Sequence, residues 1–176
     1  MKKLRIILVS VFILLLSGQS FSGDLNIGLS DKVNHLIVKN IKGKGQLVSI
    51  DKYVASRKID ELRVLDQQDG KKFQYAAIQV NGYLKGIASE HGYCDSGKEE
   101  NTLWLKFDKK LNIADVQSYL TSSCQESIGS ITLLRHDEDL LKIEIEYSKA
   151  GEDKKTLYYS SYKPHKGFQQ RDQSPE

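Results

Sequence analysis

The densest run of reactive side chains is His91-Gly92-Tyr93-Cys94-Asp95-Ser96. Imidazole, carboxylate and hydroxyl are the parts of a hydrolytic triad, which makes His91, Asp95 and Ser96 candidates for base, orienting acid and nucleophile. A triad is defined by convergence in space, and adjacency along a chain is weak support for one. No Gly-x-Ser-x-Gly elbow occurs, and Asp95-Ser96-Gly97 lacks the surrounding glycines of a trypsin-like nucleophile loop. A zinc centre needs three or four convergent ligands. The four histidines, His35, His91, His136 and His165, show no paired spacing. The segment therefore reads as a solvated loop beside a structural disulfide, with a small hydrolase as the alternative. No catalytic residue, metal or cofactor is expected.

Two weaker motifs read the same way. His136-Asp137-Glu138-Asp139 offers oxygens to a hard cation, but it lacks the Asp-x-Asp-x-Asp-Gly order of a calcium loop and suits a polar hairpin turn. Lys39, Lys42 and Lys44 around Gly43 and Gly45 form a charged turn, with no P-loop or dinucleotide fingerprint.

The aromatics carry more. On a strand, Leu103, Leu105 and Phe107 share one face and leave Trp104 on the other. Leu157 and Tyr159 likewise leave Tyr158 and Tyr162 opposite. Tyrosine and tryptophan on an outward sheet face favour protein interfaces, so Trp104, Tyr158 and Tyr162 are the candidate partner-binding residues. The competing reading covers both faces and makes the aromatics a second core.

These residues need strands to position them. Thr102–Phe107 and Asn112–Leu120 read as a hairpin turning near Lys109-Lys110, with a helix from Asn112 as the alternative. Ile131–Leu134 and Leu140–Tyr147 flank the 136–139 turn. Lys142 to Tyr147 alternates strictly, which points Ile143, Ile145 and Tyr147 at a core. Thr156–Tyr162 follows the Ala150-Gly151 turn. Upstream, Leu62–Leu65 and Phe73–Val80 bracket Asp69-Gly70, and Gln46–Ile50 is a further strand. Asn81-Gly82 supplies the two positive-φ positions of a type I′ turn and predicts a tight hairpin there. Ser30 is a candidate N-cap for one short helix over residues 30–41, with Val33, Leu36, Ile37 and Ile41 as its stripe; His35–Ile41 also suits a strand. The expected fold is mainly β, an antiparallel meander of seven or eight strands forming a sandwich or partial barrel.

The chain has 176 residues, with 26 Lys plus Arg against 23 Asp plus Glu. Residues 1–22 hold Lys2, Lys3 and Arg5 and no acid, and removing those three bases leaves 23 against 23. The basic surplus thus belongs to the N-terminus, and no nucleic-acid partner is expected. A cationic start, the apolar run Ile6–Leu16 and the small-residue exit Ser17-Gly18-Gln19-Ser20-Phe21-Ser22 have the pattern of a secretory signal peptide. Gln19 stands where a lipoprotein signal needs cysteine. The reading is a signal peptide over 1–22, one β-rich domain over 23–163, and a polar flexible tail over 164–176, in a periplasmic or secreted protein with no membrane insertion after cleavage. In an oxidising compartment Cys94 and Cys124 are most simply one disulfide. Position 109, midway between them, is also the proposed turn, so a cystine would close the open end of that hairpin.

A small, exported, disulfide-bearing β domain without a catalytic motif suits a binding module that caps or inhibits a protein partner in the cell envelope. Toxin immunity proteins and enzyme inhibitors have that general profile. The alternatives are the hydrolase above and a structural envelope-assembly protein. A monomer or small homo-oligomer is expected.

Overall fold

The computed structural model describes residues 25–84, 97–123, 125–137 and 140–172. The expected signal peptide at 1–22, the His91–Ser96 segment and both cysteines lie outside them. Eleven strands are found among the described residues: β1 (Leu25–Leu29), β2 (His35–Asn40), β3 (Gly45–Ser49), β4 (Ser56–Asp69), β5 (Gln74–Leu84), β6 (Lys98–Phe107), β7 (Ile113–Ser123), β8 (Ile128–Asp137), β9 (Leu140–Lys149), β10 (Lys155–Ser160) and β11 (Gln169–Asp172). β1–β3 form a three-stranded sheet. β4 to β11 form an eight-stranded sheet in which every strand lies beside its sequence neighbour. All pairings are antiparallel, so the protein is mainly β and meanders as its alternating pattern predicts.

The large sheet is folded over. β6 and β7 pair from Phe107↔Ile113 to Glu99↔Ser123, whereas β7 and β8 share only Ser123↔Ile128. The two strands separate beyond that point, and the sheet divides into a β4–β7 leaf and a β8–β11 leaf. Bulges in β4 against β5, at Ser56/Lys58, Ile59/Glu61 and Val64/Asp66, add bend and twist to the first leaf.

Each face of the first leaf buries a separate core. On one face Ile59, Ala76, Ile78, Val80, Leu103, Leu105 and Phe107 pack against Leu25, Ile27, Leu36, Val38 and Val48 of the small sheet. On the other, Leu65, Tyr75, Ala77 and Trp104 meet Ile143, Ile145, Leu157, Tyr159 and Phe168 of the second leaf. β6 is therefore buried continuously from Asn101 to Leu105, as expected of a strand covered on both sides.

Four expectations are corrected. Residues 30–41 form no helix. The chain turns after β1 and returns as β2, with Leu36 and Val38 fully buried on one face at period two. Val33 and Ile41, the ends of the supposed helical stripe, are 53% and 73% exposed. Asn34 makes the turn with a left-handed φ of 51° that no helix continues through.

Asn81-Gly82 is not a turn. β5 runs straight through it, pairing Gly82 with Ile59 on one side and Glu99 on the other. A Cβ on Gly82 would lie 2.3 Å from the Lys58 carbonyl oxygen. The glycine is there because the bulged β4 backbone passes too close for any side chain.

The third correction concerns the C-terminal segment. Residues 164–166 form a 3-10 turn and 169–172 form β11, with Phe168 buried between them. This much of the segment is ordered structure rather than flexible tail. The fourth concerns Trp104, which is only 2% exposed and belongs to the second core.

Candidate functional site

The outer face of the second leaf follows from register. Because Ile143, Ile145, Leu157 and Tyr159 point inward, their neighbours point out: Lys142, Glu144 and Glu146 on β9, Tyr158 and Ser160 on β10, and Gln169 and Arg171 on β11. Tyr158 lies directly between Glu144 and Gln169 in register. The Arg171 guanidinium sits 4.7 Å from the centre of the Tyr158 ring. That contact suits a cation over an aromatic face.

Beyond β10 the chain makes the 164–166 turn, closed by Lys163 N–H donating to the Ser160 carbonyl and Lys166 N–H to the Lys163 carbonyl. Gly167 follows with φ of 64°. The turn is tied to the first leaf at two points. Trp104 Nε1–H donates to the Pro164 carbonyl at 2.8 Å, and Phe168 N–H donates to Gln117 Oε1 at 2.7 Å. The Phe168 ring packs on Tyr159 at 5.4 Å and against the edge of Tyr119 at 6.2 Å. Lys163, Lys166 and Tyr162 therefore project from a braced turn, with Lys163 Nζ 5.9 Å from the Tyr162 ring.

Lys142, Glu144, Tyr158, Lys163, Lys166 and Arg171 line a cleft of about 240 Å³ on this face. Its neighbouring charges are neutralised. Lys142 meets Asp137 at 2.5 Å, Arg135 meets Glu144 at 3.2 Å, and Lys154 pairs with Glu146. No such ion pair holds Lys163, Lys166 or Arg171 among the described residues. The cleft is thus cationic around a half-buried tyrosine. A second, flatter depression of about 490 Å³ beside β3 carries one acid and one base, Asp51 and Lys52, and no cluster of either.

Between the leaves lies a polar seam. Glu100 Oε1 accepts from Thr121 Oγ1 at 2.9 Å, Gln79 Nε2 at 3.3 Å and Ser130 Oγ at 3.3 Å, while Gln79 Nε2 also donates to Thr132 Oγ1 at 2.8 Å. Further along, Tyr159 O–H donates to Asp66 Oδ2 at 2.7 Å. Burial pushes the Asp66 carboxyl up, against the lowering effect of the bonds from Tyr159, Gln68 and the Gln67 N–H. Burial and the Asp66 charge raise the Tyr159 phenol well above its usual range. Both groups satisfy each other inside the fold. These contacts stitch the two leaves together.

Of the residues singled out from sequence, the structure brings Tyr158 to the cleft and Tyr162, 68% exposed, to the turn beside it. Trp104 lies behind that turn as its anchor. His91, Asp95 and Ser96, and the Cys94–Cys124 pair, are outside the described residues. Lys166 and Arg171 were missed because they fall in a segment that reads as tail, and Lys163 because it is the last residue before it. The available signal was Phe168, a lone large apolar residue among polar ones, with cations on both sides. No protein-family model, curated protein or solved structure matches the chain.

Proposed function

We propose that this is an exported, non-catalytic binding protein that caps or inhibits a protein partner in the cell envelope, in the manner of a toxin immunity protein or enzyme inhibitor. The observation that carries the reading is the cationic cleft around Tyr158, with exposed Tyr162 beside it on a turn braced from behind by Trp104 and Gln117. Tyrosine and arginine are the residue types that anchor interfaces, and a rigid platform lowers the ordering cost of association. The signal-peptide pattern of residues 1–22 supports export.

The test is affinity capture from the organism's own envelope and secreted fractions. The wild-type protein should retain one stoichiometric protein partner. Tyr158→Ala with Tyr162→Ala should lose it at an unchanged melting temperature. Equal capture by both proteins would remove this face from the interface, and no partner for a folded wild type would defeat the reading.

A further inference from the structure

Resting on the outer face as the partner surface, we propose that the cleft takes a carboxylate-rich segment of an acidic protein, whose Asp or Glu side chains sit among Lys163, Lys166 and Arg171. Three observations carry this. First, the other cations of this face, Arg135, Lys142 and Lys154, each have a carboxylate on the same leaf, whereas Lys163, Lys166 and Arg171 have none among the described residues. An interface that leaves three cations uncompensated at one point is complementary to negative charge.

Second, the cleft is small. Its roughly 240 Å³ falls below the about 300–1,000 Å³ of small-molecule sites and suits one or two inserted side chains. Arg171, held over Tyr158, presents a guanidinium whose fork matches a carboxylate in two parallel hydrogen bonds.

Third, Glu144 lines the same cleft directly across from Tyr158. A nucleic-acid backbone with phosphates at fixed spacing, or a flat sheet of anionic headgroups, cannot turn its charges away from that carboxylate, which Arg135 balances from outside the cleft. An acidic peptide segment can turn individual carboxylates toward the three cations and away from Glu144. This favours a protein partner over a membrane or a nucleic acid.

The probe is a fluorescein-labelled octaglutamate peptide, followed by anisotropy against the purified full-length protein across a NaCl series. Saturable binding at low salt should weaken steeply as salt rises, because exposed charges are screened beyond about 10 Å at 0.1 M. Lys166→Gln with Arg171→Gln should weaken it at least about tenfold, the loss of two charge-assisted contacts, at an unchanged melting temperature. Lys42→Gln with Lys44→Gln, on the exposed turn before β3, should leave it unchanged. Absence of saturable binding, or equal loss in both double variants, overturns the proposal. So does tighter binding to phosphatidylglycerol vesicles or to a single-stranded oligonucleotide. A partner captured through Tyr158 and Tyr162 but indifferent to Lys166→Gln/Arg171→Gln would overturn the acidic-segment inference alone. Octaglutamate binding without any captured protein would overturn the partner reading alone.

Discussion

The indole of Trp104 on β6 donates its N–H to the carbonyl of Pro164 at 2.8 Å, joining the middle of the first leaf to the turn that carries Lys163 and Lys166. An aromatic residue inside the fold thus holds the platform of the surface site. Trp104→Phe keeps a ring in the core but removes the donor, and should cost about 1 kcal/mol in urea unfolding. Octaglutamate binding should weaken with it, since the turn loses one of its two ties. Trp104→Ala should cost about 3–5 kcal/mol. Unchanged stability in both variants would show that the turn is held by other contacts.

Asn34 ties its turn to segments well beyond it in sequence. Its Nδ2 donates to Asp51 Oδ1 at 2.8 Å and to the Ser56 carbonyl at 3.1 Å, and its Oδ1 accepts from Ile59 N–H at 3.0 Å. These bonds lock the β1–β2 turn to the start of β4. Asn34→Ala loses them, and with them the polar side chain that lets asparagine adopt the left-handed conformation, for about 2–4 kcal/mol in all. Asn34→Gly relieves only the backbone part and should recover a minor share of the loss. Near-complete recovery would make the turn conformation, and not the side chain, the source of stability.

Gly82 and Gly129 form a matched pair. A Cβ at Gly82 meets the Lys58 carbonyl oxygen at 2.3 Å, whereas one at Gly129 meets nothing within 4 Å. Gly82→Ala must push β4 and β5 apart and should destabilise by about 1–3 kcal/mol. Gly129→Ala should be neutral or stabilising by up to about 1 kcal/mol through the unfolded chain. Thermal denaturation of the two variants side by side decides this, and a tolerated Gly82→Ala would contradict the close approach.

Asp66 sets a pH dependence. Burial raises its carboxyl from an ordinary 3.8, so the folded protein holds that proton to higher pH than the unfolded chain. The resulting stabilisation is full below the unfolded value and is lost as pH rises through the folded one. Asp66→Asn keeps an oxygen acceptor for Tyr159 and removes the titration. Urea midpoints between pH 3 and 7 should show the variant gaining on the wild type as pH rises. Glu99, also raised by burial, should give the same sign in Glu99→Gln. Parallel profiles would mean that neither group titrates differently on folding.

Strands β4 to β10 were legible wherever one face alternates or a turn residue interrupts an apolar run. The 108–112 turn, with Asp108 accepting from the Lys110 and Asn112 N–H groups, lies where the flanking hairpin pattern puts it. Elsewhere local chemistry misled. Asn81-Gly82 carries the side chains of a tight turn, but the same glycine also serves a strand squeezed by a bulge, and only the neighbouring strand distinguishes the two. Residues 30–41 fit both periods, and burial of Leu36 and Val38 under the first leaf settled them as strand. The cations of the site were hidden because β11 and the 164–166 turn draw their order from Trp104 and Gln117, which lie 60 and 51 residues away from the groups they bind.

Local pattern alone specifies the antiparallel meander, because alternation and turn residues act between neighbours and a meander needs only neighbouring pairs. It also determined which residues of β9 and β10 face the same way. Whether an outward face meets water was decided by tertiary structure. The strand pattern leaves Trp104 and Tyr158 alike as aromatics opposite an apolar face. The fold-over at Ser123 and Ile128 covers the first and leaves the second at a cleft, because burial depends on how one leaf closes over another and not on the period of either strand.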